Sequence, residues 1–369
     1  MSKKLKVLIL TSKTGGGHIS LAEALRDQLI DDAELEIVDP QSAFVHLHYR
    51  LVSRYALWLW AAEFQVLDAP GRALMAHRVF TRLVARSLEA ILERTQPDLV
   101  ITTYPFLTYE VMQVLEKRGS RVPFVMLFTD PNGVHASWLT EKRAALTLAP
   151  TRETYAQALS VGFESTRLHL VGWPVRAQFY RSYSAPELLT RIGLSPDPEY
   201  LTIFLQGGGE GAARFGHTVE RVLALSPRVQ VILAAGTNEA LYQRFSRVSN
   251  VHALPFTREI APFMAAADVV MGKAGPNMLF ESVTLGRPFI ATAYIPGQEH
   301  ANLEFIRRHG LGWVALTAEQ QMALLTRLLA ERAELASMDA SVEEYRRWNL
   351  EGTQKIMPLI KKLVARVEI

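Results

Sequence analysis

The sequence contains no cysteine among its 369 residues. Disulfide bonds, thiolate metal sites and a cysteine nucleophile are therefore excluded. It also lacks an apolar run near the roughly 18 residues that a membrane-spanning helix requires. The longest candidate, YALWLWAA at 55–62, is far shorter. The sequence therefore predicts a protein that is soluble or bound peripherally to a membrane.

Neither sign of charge predominates, because 40 basic residues and 37 acidic residues give a formal net charge of only +3. A nucleic-acid partner is not expected, since this excess is small and its arginines lie among tryptophans in an apolar region. The apolar fraction of 49% is that of an ordinary globular protein. The length predicts two domains.

Apolar strands alternate with helical segments along both halves of the chain. Continuous apolar strands of this kind are typical of parallel sheets covered by helices on both faces. The predicted strands are 5–11, 34–40, 98–104 and 122–130 in the first half, and 200–206, 229–236, 268–275 and 287–293 in the second. The fold class is therefore α/β, with two doubly wound Rossmann-like domains. We predict an N-terminal domain over 1–172, a second over 173–345, and a helix over 346–369 that packs back on the body.

Each half carries a glycine loop after its first strand. The first is GGGH, which ends in His18 at the start of a predicted helix, and the second is GGGEG at 207–211. Such a loop lets backbone N–H groups crowd an anion at a helix N-terminus. A tight turn, a close substrate approach and a catalytic base at His18 remain open. The second loop has neither the dinucleotide spacing nor the P-loop spacing.

A third motif, KAGPNMLFES, follows the strand 268–275. Pro276 suits the first position of a helix, and Glu281 lies about one and a half turns further on. A carboxylate there can accept hydrogen bonds from two ribose hydroxyls. The alternative is a solvated glutamate on a helix surface.

In this order, GGGH, GGGEG, KAGP with FES, and YIPGQE resemble the glycosyltransferases that make glycolipids from diacylglycerol. These are the plant-type monogalactosyldiacylglycerol synthases and the bacterial processive diacylglycerol glucosyltransferases. The N-acetylglucosaminyltransferase of peptidoglycan precursor synthesis is a more distant likeness. The resemblance implies a GT-B fold with two domains facing a cleft, a UDP-sugar donor, and an inverting transfer without an obligatory metal.

Carried over by position, the resemblance implies a donor site in the second half. Gly208, Gly209 and Glu210 match the diphosphate loop, and Phe256 matches the segment that holds the uracil ring. Gly275 and Pro276 match the turn beside the phosphates, and Glu281 matches the ribose carboxylate. Gln298 and Glu299 match the pair that reads the sugar hydroxyls. Asn277-Met278 departs from the usual small pair, and Ile19-Ser20 departs from the usual residues after the histidine.

An inverting transfer requires a base for the acceptor hydroxyl. His18 has the intrinsic pKa for that role, and Asp130 is predicted to orient it or share its proton. Gly16 and Gly17 are predicted to let the acceptor approach the backbone. His135 is a weaker candidate for contact with donor or acceptor, and an ordinary surface histidine is its alternative.

Residues 44–94 are rich in aromatic side chains and arginine. From 46 to 86 there are six arginines against two acidic residues. Leu51, Tyr55, Trp58 and Ala62 share one helical face, whereas Arg50 and Arg54 lie off it. This composition is typical of a helix lying in a membrane interface. We predict that Arg50, Arg54, Trp58 and Trp60 bind the membrane, with packing inside the domain as the alternative.

The sequence thus predicts transfer of a hexose from a UDP-hexose to diacylglycerol or another lipid acceptor. The expected place is the cytoplasmic face of a membrane, on an anionic surface, with no nucleic acid. The UDP-sugar is a substrate, so no cofactor and no metal is expected. Alternatives are N-acetylglucosaminyl transfer to a lipid-linked peptidoglycan precursor, transfer to a soluble acceptor, and a catalytically inactive UDP-sugar-binding protein.

Overall fold

The computed structural model describes residues 4–13, 16–206 and 215–365. Contacts divide the chain into two compact units. The first comprises Met1–Ala177, Pro296–Ala301 and Trp348–Ile369, and the second comprises Gln178–Ile295 and Asn302–Arg347. The short segment Pro296–Ala301 therefore belongs to the first unit although both its neighbours in sequence belong to the second.

In the described part of the chain, twelve strands form two sheets of six. The first sheet contains β1 (Leu5–Leu10), β2 (Ala33–Val38), β3 (Leu99–Thr102), β4 (Phe124–Leu127), β5 (Leu146–Ala149) and β6 (Leu168–Leu170). The second contains β7 (Leu201–Gln206), β8 (Val229–Gly236), β9 (Val251–Pro255), β10 (Val269–Lys273), β11 (Phe289–Ala293) and β12 (Gly312–Val314).

Sixteen helices are described. They are α1 (Gly17–Leu29), α2 (Ala43–Tyr55), α3 (Leu57–Leu67), α4 (Pro70–Thr95), α5 (Tyr109–Lys117), α6 (Ala136–Leu139), α7 (Arg152–Ser160), α8 (Ala185–Arg191), α9 (Phe215–Leu223), α10 (Glu239–Phe245), α11 (Ala261–Ala265), α12 (Pro276–Thr284), α13 (His300–Arg308), α14 (Ala318–Ala330), α15 (Arg332–Thr353) and α16 (Ile356–Ala365). Short 3₁₀ helices cover Pro105–Leu107 and Ala177–Tyr180.

All strand pairs are parallel, and each sheet reverses its winding direction once. The first sheet has the order β2-β1-β3-β4-β5-β6, and the second has β12-β11-β10-β7-β8-β9. The reversals lie between β1 and β3 and between β7 and β10. Ligands of open α/β sheets bind outside the carboxyl ends of the strands at such switch points. The glycine loops predicted as functional follow β1 and β7, one at each switch point.

The strands are apolar because helices cover both faces of each sheet. Every residue of β3, β4 and β5 is buried. The helix α4 supplies Val84, Leu88 and Leu92 to the core of the first unit. Burial of apolar surface stabilises the folded state by about 25 cal/mol per Å², and it is the main contribution to the stability of this fold.

The segment after β6, where the sequence predicts a domain boundary at residue 172, is tightly packed. The amide of Asn349 accepts from the Trp173 backbone N–H at 2.6 Å and donates to its carbonyl at 3.0 Å. Gly172 has a φ of +78°, and an added Cβ would lie 2.6 Å from the Asn349 carbonyl oxygen. The predicted boundaries themselves remain a prediction.

The prediction that Leu51, Tyr55, Trp58 and Ala62 share one helical face is wrong, because these residues lie on two separate helices. The chain breaks at Ala56, which has φ −141° and ψ 55° and separates α2 from α3. No proline or glycine lies between residues 51 and 62, so no sequence signal marks this break. The apolar positions predicted to share a face remain exposed on both sides of it.

A buried polar pair joins the helices of the first unit. The Nδ1 of His77 on α4 lies 2.8 Å from the Glu110 carboxylate on α5, and both side chains are fully buried. The Nε2–H of His77 donates to the Ser137 carbonyl on α6 at 2.9 Å. The imidazole of His77 therefore connects the three helices α4, α5 and α6.

We expect His77→Ala to lower the free energy of unfolding by about 3–5 kcal/mol, because it leaves the Glu110 carboxyl buried without its partner. Urea denaturation followed by tryptophan fluorescence measures this loss. The exposed neighbour variant Arg78→Ala is the control and should change stability by less than about 0.5 kcal/mol. A loss for His77→Ala as small as that of the control would contradict this assignment.

Candidate active site

His18 lies in the first turn of α1, at the switch point of the first sheet. Its Nδ1 lies 2.7 Å from the carbonyl oxygen of Thr103, the residue that follows β3. A carbonyl only accepts hydrogen bonds, so Nδ1 carries the proton and Nε2 carries the lone pair. The Thr103 hydroxyl lies 2.9 Å from the Thr11 hydroxyl and 3.1 Å from the His18 carbonyl. The ends of β1 and β3 thus fix the tautomer and the orientation of this ring.

The surroundings of His18 keep the ring neutral. Burial lowers the pKa of His18 to about 4, against the opposing effect of the hydrogen bond to Thr103. The ring also packs edge-on against Tyr104, with ring centroids 5.0 Å apart. An unfolded histidine takes up a proton near pH 6.5 and the folded one only near pH 4, so this group lowers the free energy of unfolding as the pH falls through that interval. At neutral pH, His18 presents a proton acceptor.

Gly16, two residues before His18, is not required by the fold. Gly16 has a φ of −79°, which any residue adopts, and an added Cβ would meet no heavy atom within 4 Å. Gly16 and Gly17 are both exposed. Thr14 and Gly15 lie outside the described residues. The open space at Gly16 is consistent with the predicted approach of an acceptor to the backbone.

Asp130 does not orient His18. It is partly buried, and its carboxylate accepts from the His135 backbone N–H at 3.4 Å. Burial raises the pKa of Asp130 to about 6, against the opposing effect of His135. No hydrogen bond within the described chain joins Asp130 to His18. The Thr103 carbonyl performs the orienting role predicted for Asp130, whereas proton sharing by Asp130 stays a prediction.

His135 is a buried structural residue rather than an exposed one. Its Nδ1 accepts from the Ser137 backbone N–H at 3.2 Å, so Nε2 carries the proton and donates to the Phe64 carbonyl at 3.0 Å. Its ring lies 4.2 Å from the Phe64 ring. Because both ring nitrogens bind the protein itself, His135 connects α6 to α3 and is not placed to bind a substrate through its imidazole.

In the second unit, the turn between β10 and α12 brings together the residues of the third motif. Gly275 precedes α12 without a side-chain cap, and Pro276 is its first residue. A helix N-terminus without a side-chain cap favours an anion. Glu281 is buried on the same helix, with 8% of its surface exposed. Glu281 therefore lies on the helix that begins at this turn, as the predicted ribose and phosphate roles require.

Two contacts explain the local sequence at this turn. A Cβ on Gly272 would lie 2.6 Å from the Gln206 carbonyl oxygen and 2.7 Å from Cε of Met278. The unusual Met278 thus packs against a glycine that leaves room for it. The buried Asn302 donates to the Ala274 carbonyl at 2.8 Å and holds the turn from the other side. The sequence reasoning missed Asn302, as it missed Thr103.

Phe256 follows β9 and is 66% exposed. The loop after it is fixed by Gln178, whose side chain donates to the Arg258 carbonyl at 2.7 Å and accepts from the Ala261 N–H at 3.0 Å. Gly208, Gly209 and Glu210 lie outside the described residues, so their predicted contact with the diphosphate stays a prediction.

Gln298 and Glu299 lie in the segment Pro296–Ala301 and therefore in the first unit. The sequence predicts them in the second domain. Gln298 is half-buried and Glu299 is buried. Their predicted role with the sugar stays a prediction, and it now falls on a segment that packs against α3.

The helices α2, α3 and α4 expose an unusual amount of apolar surface. Tyr55 and Trp58 are each 74% exposed, whereas Trp60 is half-buried. Leu47, Leu51, Leu57, Val66, Met75, Val79 and Leu83 are also exposed. The side chains of Arg50 and Arg54 lie outside the described residues. We call this surface, α2 to α4 with these exposed side chains, the apolar face.

Arginines run beside the apolar side chains of α4. Met75, Val79 and Leu83 are spaced four residues apart. Arg78, Arg82 and Arg86 have the same spacing, and each follows one of these apolar residues by three positions. All six are exposed, because the opposite side of α4 buries Ala73, His77, Val84, Leu88 and Leu92. Sequence reasoning placed the basic contacts at Arg50 and Arg54 and missed the spacing on α4.

Among the described residues, no helix has both the length and the apolar character to cross a membrane. The same residues contain no group of three or more His, Asp or Glu side chains that could hold a metal ion.

Two family models match successive parts of the chain. The model for monogalactosyldiacylglycerol (MGDG) synthase matches residues 18–175, and the model for the glycosyltransferase family 28 C-terminal domain matches residues 202–354. A probable monogalactosyldiacylglycerol synthase 2 of Oryza sativa subsp. indica is 30% identical over 338 residues, which cover 83% of this chain and 70% of the rice protein. The chain belongs to the monogalactosyldiacylglycerol synthase family. As a member of this family it is a glycosyltransferase, and the predicted resemblance is confirmed.

Solved structures confirm the GT-B fold of this MGDG synthase family member. The Anabaena protein Alr3699/HepE in complex with UDP and glucose matches with a TM-score of 0.56 and 14% identity, over 97% of this chain and 100% of that one. The MurG protein of Acinetobacter baumannii matches with a TM-score of 0.61 and 15% identity, over 98% of this chain and 100% of that one. At such identities the likeness concerns the fold alone.

The tautomer and pKa of His18 are directly measurable. In protein with ¹⁵N-labelled histidine, assigned with a His18→Gln variant, we expect the His18 ring to carry its proton on Nδ1 and to stay neutral down to about pH 4. Long-range ¹H–¹⁵N correlation spectra across a pH titration report both properties. A proton on Nε2, or a midpoint near the ordinary value of about 6.5, would contradict the geometry.

Proposed function

We propose that this protein transfers a hexose from a UDP-sugar to diacylglycerol, with inversion at the anomeric carbon, at the surface of a membrane. The observation that carries the proposal is the neutral His18 at a switch point, with its tautomer fixed by Thr103, in a chain of the MGDG synthase family. The relatives are named for galactosyl transfer to diacylglycerol. The UDP and glucose bound to the Anabaena neighbour support a UDP-hexose donor.

In the proposed reaction, Nε2 of His18 accepts the proton of the acceptor hydroxyl. The acceptor oxygen forms a bond to the anomeric carbon, and the bond from that carbon to the diphosphate oxygen breaks. The electron pair leaves with UDP. General-base catalysis of this kind contributes about 10²–10⁴-fold to a rate.

The proposed donor site uses no cofactor. The start of α12, at Gly275 and Pro276, stabilises the leaving diphosphate through the helix dipole. Glu281 accepts hydrogen bonds from the ribose hydroxyls, and the backbone near Phe256 receives the uracil ring. The glycine loop 207–211 completes the diphosphate contacts in this proposal.

The apolar face is the proposed membrane surface. Its exposed aromatic and aliphatic side chains enter the lipid interface, while Arg78, Arg82 and Arg86 contact anionic headgroups. This arrangement delivers the lipid acceptor to a protein without a described membrane-crossing helix.

The transfer itself is tested with purified protein, vesicles containing diacylglycerol, and UDP-glucose, UDP-galactose or UDP-N-acetylglucosamine in separate reactions. We expect a hexosyl-diacylglycerol, detected by mass spectrometry, with one of the two UDP-hexoses. Absence of any glycolipid with all three donors would refute the proposal. Product only with UDP-N-acetylglucosamine, or only on a soluble acceptor, would favour the corresponding alternative, and UDP binding without turnover would favour an inactive binding protein.

Vesicle flotation tests the membrane surface. Each arginine near an anionic surface contributes about 1 kcal/mol, so replacement of Arg78, Arg82 and Arg86 by glutamine should weaken binding to anionic vesicles about 100-fold. Binding of the unaltered protein should also fall with salt.

The matched control replaces Arg118, Arg121 and Arg167, which lie elsewhere on the first unit, and removes the same charge. Equal weakening by both triple variants would show a general charge effect and would contradict a specific surface on α4.

A further inference from the structure

The segment Pro296–Ala301 rests on α3. Gly297 has a φ of +82°, in the left-handed region that favours glycine. An added Cβ there would lie 3.4 Å from Cδ1 of Phe64 and 3.7 Å from the backbone of Ala61. The backbone of the segment therefore approaches the surface of α3 closely, with the Phe64 ring beneath it.

Phe64 is itself fixed in place. Its ring packs against the His135 ring, and its carbonyl accepts from Nε2 of His135. One turn further along, the Asp68 carboxylate accepts from the Ala136 N–H at 2.9 Å. These contacts hold the C-terminal half of α3, a helix with no fully buried residue. Phe64 thus lies against both the His135 ring and the segment.

A second support holds the other end of the same segment. The Asn132 side chain donates to the Ala301 carbonyl at 2.9 Å. Gly133 has a φ of +81°, and a Cβ added to it would lie 4.0 Å from the Cβ of Ala301. Gln298 and Glu299 therefore lie between two supports, Phe64 at Gly297 and Asn132 at Ala301.

We infer that Phe64 is a positioning residue for the donor sugar: it supports the segment Pro296–Ala301 and so fixes the side chains of Gln298 and Glu299. The inference rests on the proposed function, in which that pair reads the hexose hydroxyls. It adds that a residue of α3, the helix that carries Trp58 on the apolar face, determines how well the hexose is held. The nucleotide part of the donor is assigned to other elements, so Phe64 acts on the hexose and not on UDP.

The test compares Phe64→Ala with Phe64→Leu in the full-length protein. Because a misplacement of about 1 Å can cost about 100-fold, we expect Phe64→Ala to lower kcat/KM for the UDP-hexose by about 10–100-fold. The Kd for UDP alone, measured by calorimetry, should stay within about twofold. Phe64→Leu, which keeps most of the apolar volume, should recover most of the loss. An equal loss in the affinity for UDP and in kcat/KM for the UDP-hexose would overturn the inference.

Hydrogen exchange provides a readout that does not depend on turnover. In Phe64→Ala, amides of a peptide covering 296–301 should exchange at least tenfold faster than in the unaltered protein. Unchanged exchange in that peptide would overturn the inference even if the protein transferred no sugar at all. If the exchange changes as expected while the unaltered protein makes no glycolipid, the proposed function fails and the support of the segment by Phe64 stands.

The matched control is Leu159→Ala, another truncation of a partly exposed apolar side chain in the first unit, on α7. It should leave kcat/KM and the exchange of residues 296–301 unchanged. An equal effect of Leu159→Ala would show that any loss of apolar packing disturbs the segment, and this would also overturn the inference.

Discussion

The hydrogen bond from His18 to the Thr103 carbonyl is the interaction on which the proposed chemistry of this protein depends. It exists because β1 and β3 are parallel neighbours, so that their carboxyl ends lie together at the switch point. A backbone carbonyl cannot donate, and it therefore sets the proton of His18 on Nδ1 regardless of side-chain changes at residue 103. Burial then keeps the ring neutral, since it lowers the pKa of His18. Sheet topology thus decides which nitrogen can act as a base.

The helices α2 to α4 add a second constraint. They interrupt the α/β alternation between β2 and β3, and their outer surface is apolar and basic. On the inner side, the His77–Glu110 pair fixes α4, and His135 and Asp68 fix α3. These polar contacts and the buried apolar side of α4 therefore attach a group of helices whose outer apolar side chains remain exposed.

Much of the fold followed from local sequence. The predicted strands of each half correspond to observed ones because their apolar runs are continuous, as in β1 and β7. The strands β5, β6, β9 and β12 were missed. Two of them, β6 and β12, have only three residues each, too few to show a period. The break at Ala56 has no local signal. The carbonyl of Thr103 was missed because sequence patterns describe side chains, whereas this contact comes from the backbone of a residue 85 positions away.

The site was only partly predictable for the same reason. His18 and Glu281 lie where their motifs place them, in the first turn of α1 and on α12. The partner predicted for His18, Asp130, instead binds the backbone of His135. The segment that carries Gln298 and Glu299 packs against α3. This packing depends on contacts between residues more than 200 positions apart, such as Phe64 and Gly297. Short motifs cannot reveal such contacts, because both partners read as ordinary apolar or turn residues.

The most direct test of the central claim compares glycosyl transfer by His18→Ala and the unaltered protein on the same diacylglycerol vesicles. Without its proposed base, the variant should lose about 10²–10⁴-fold in kcat. Its Kd for UDP should stay unchanged, because the proposed donor site lies on other elements. A variant whose kcat stays within a few-fold of the unaltered protein would show that His18 is not the base, and the account given for the Thr103 carbonyl would be wrong.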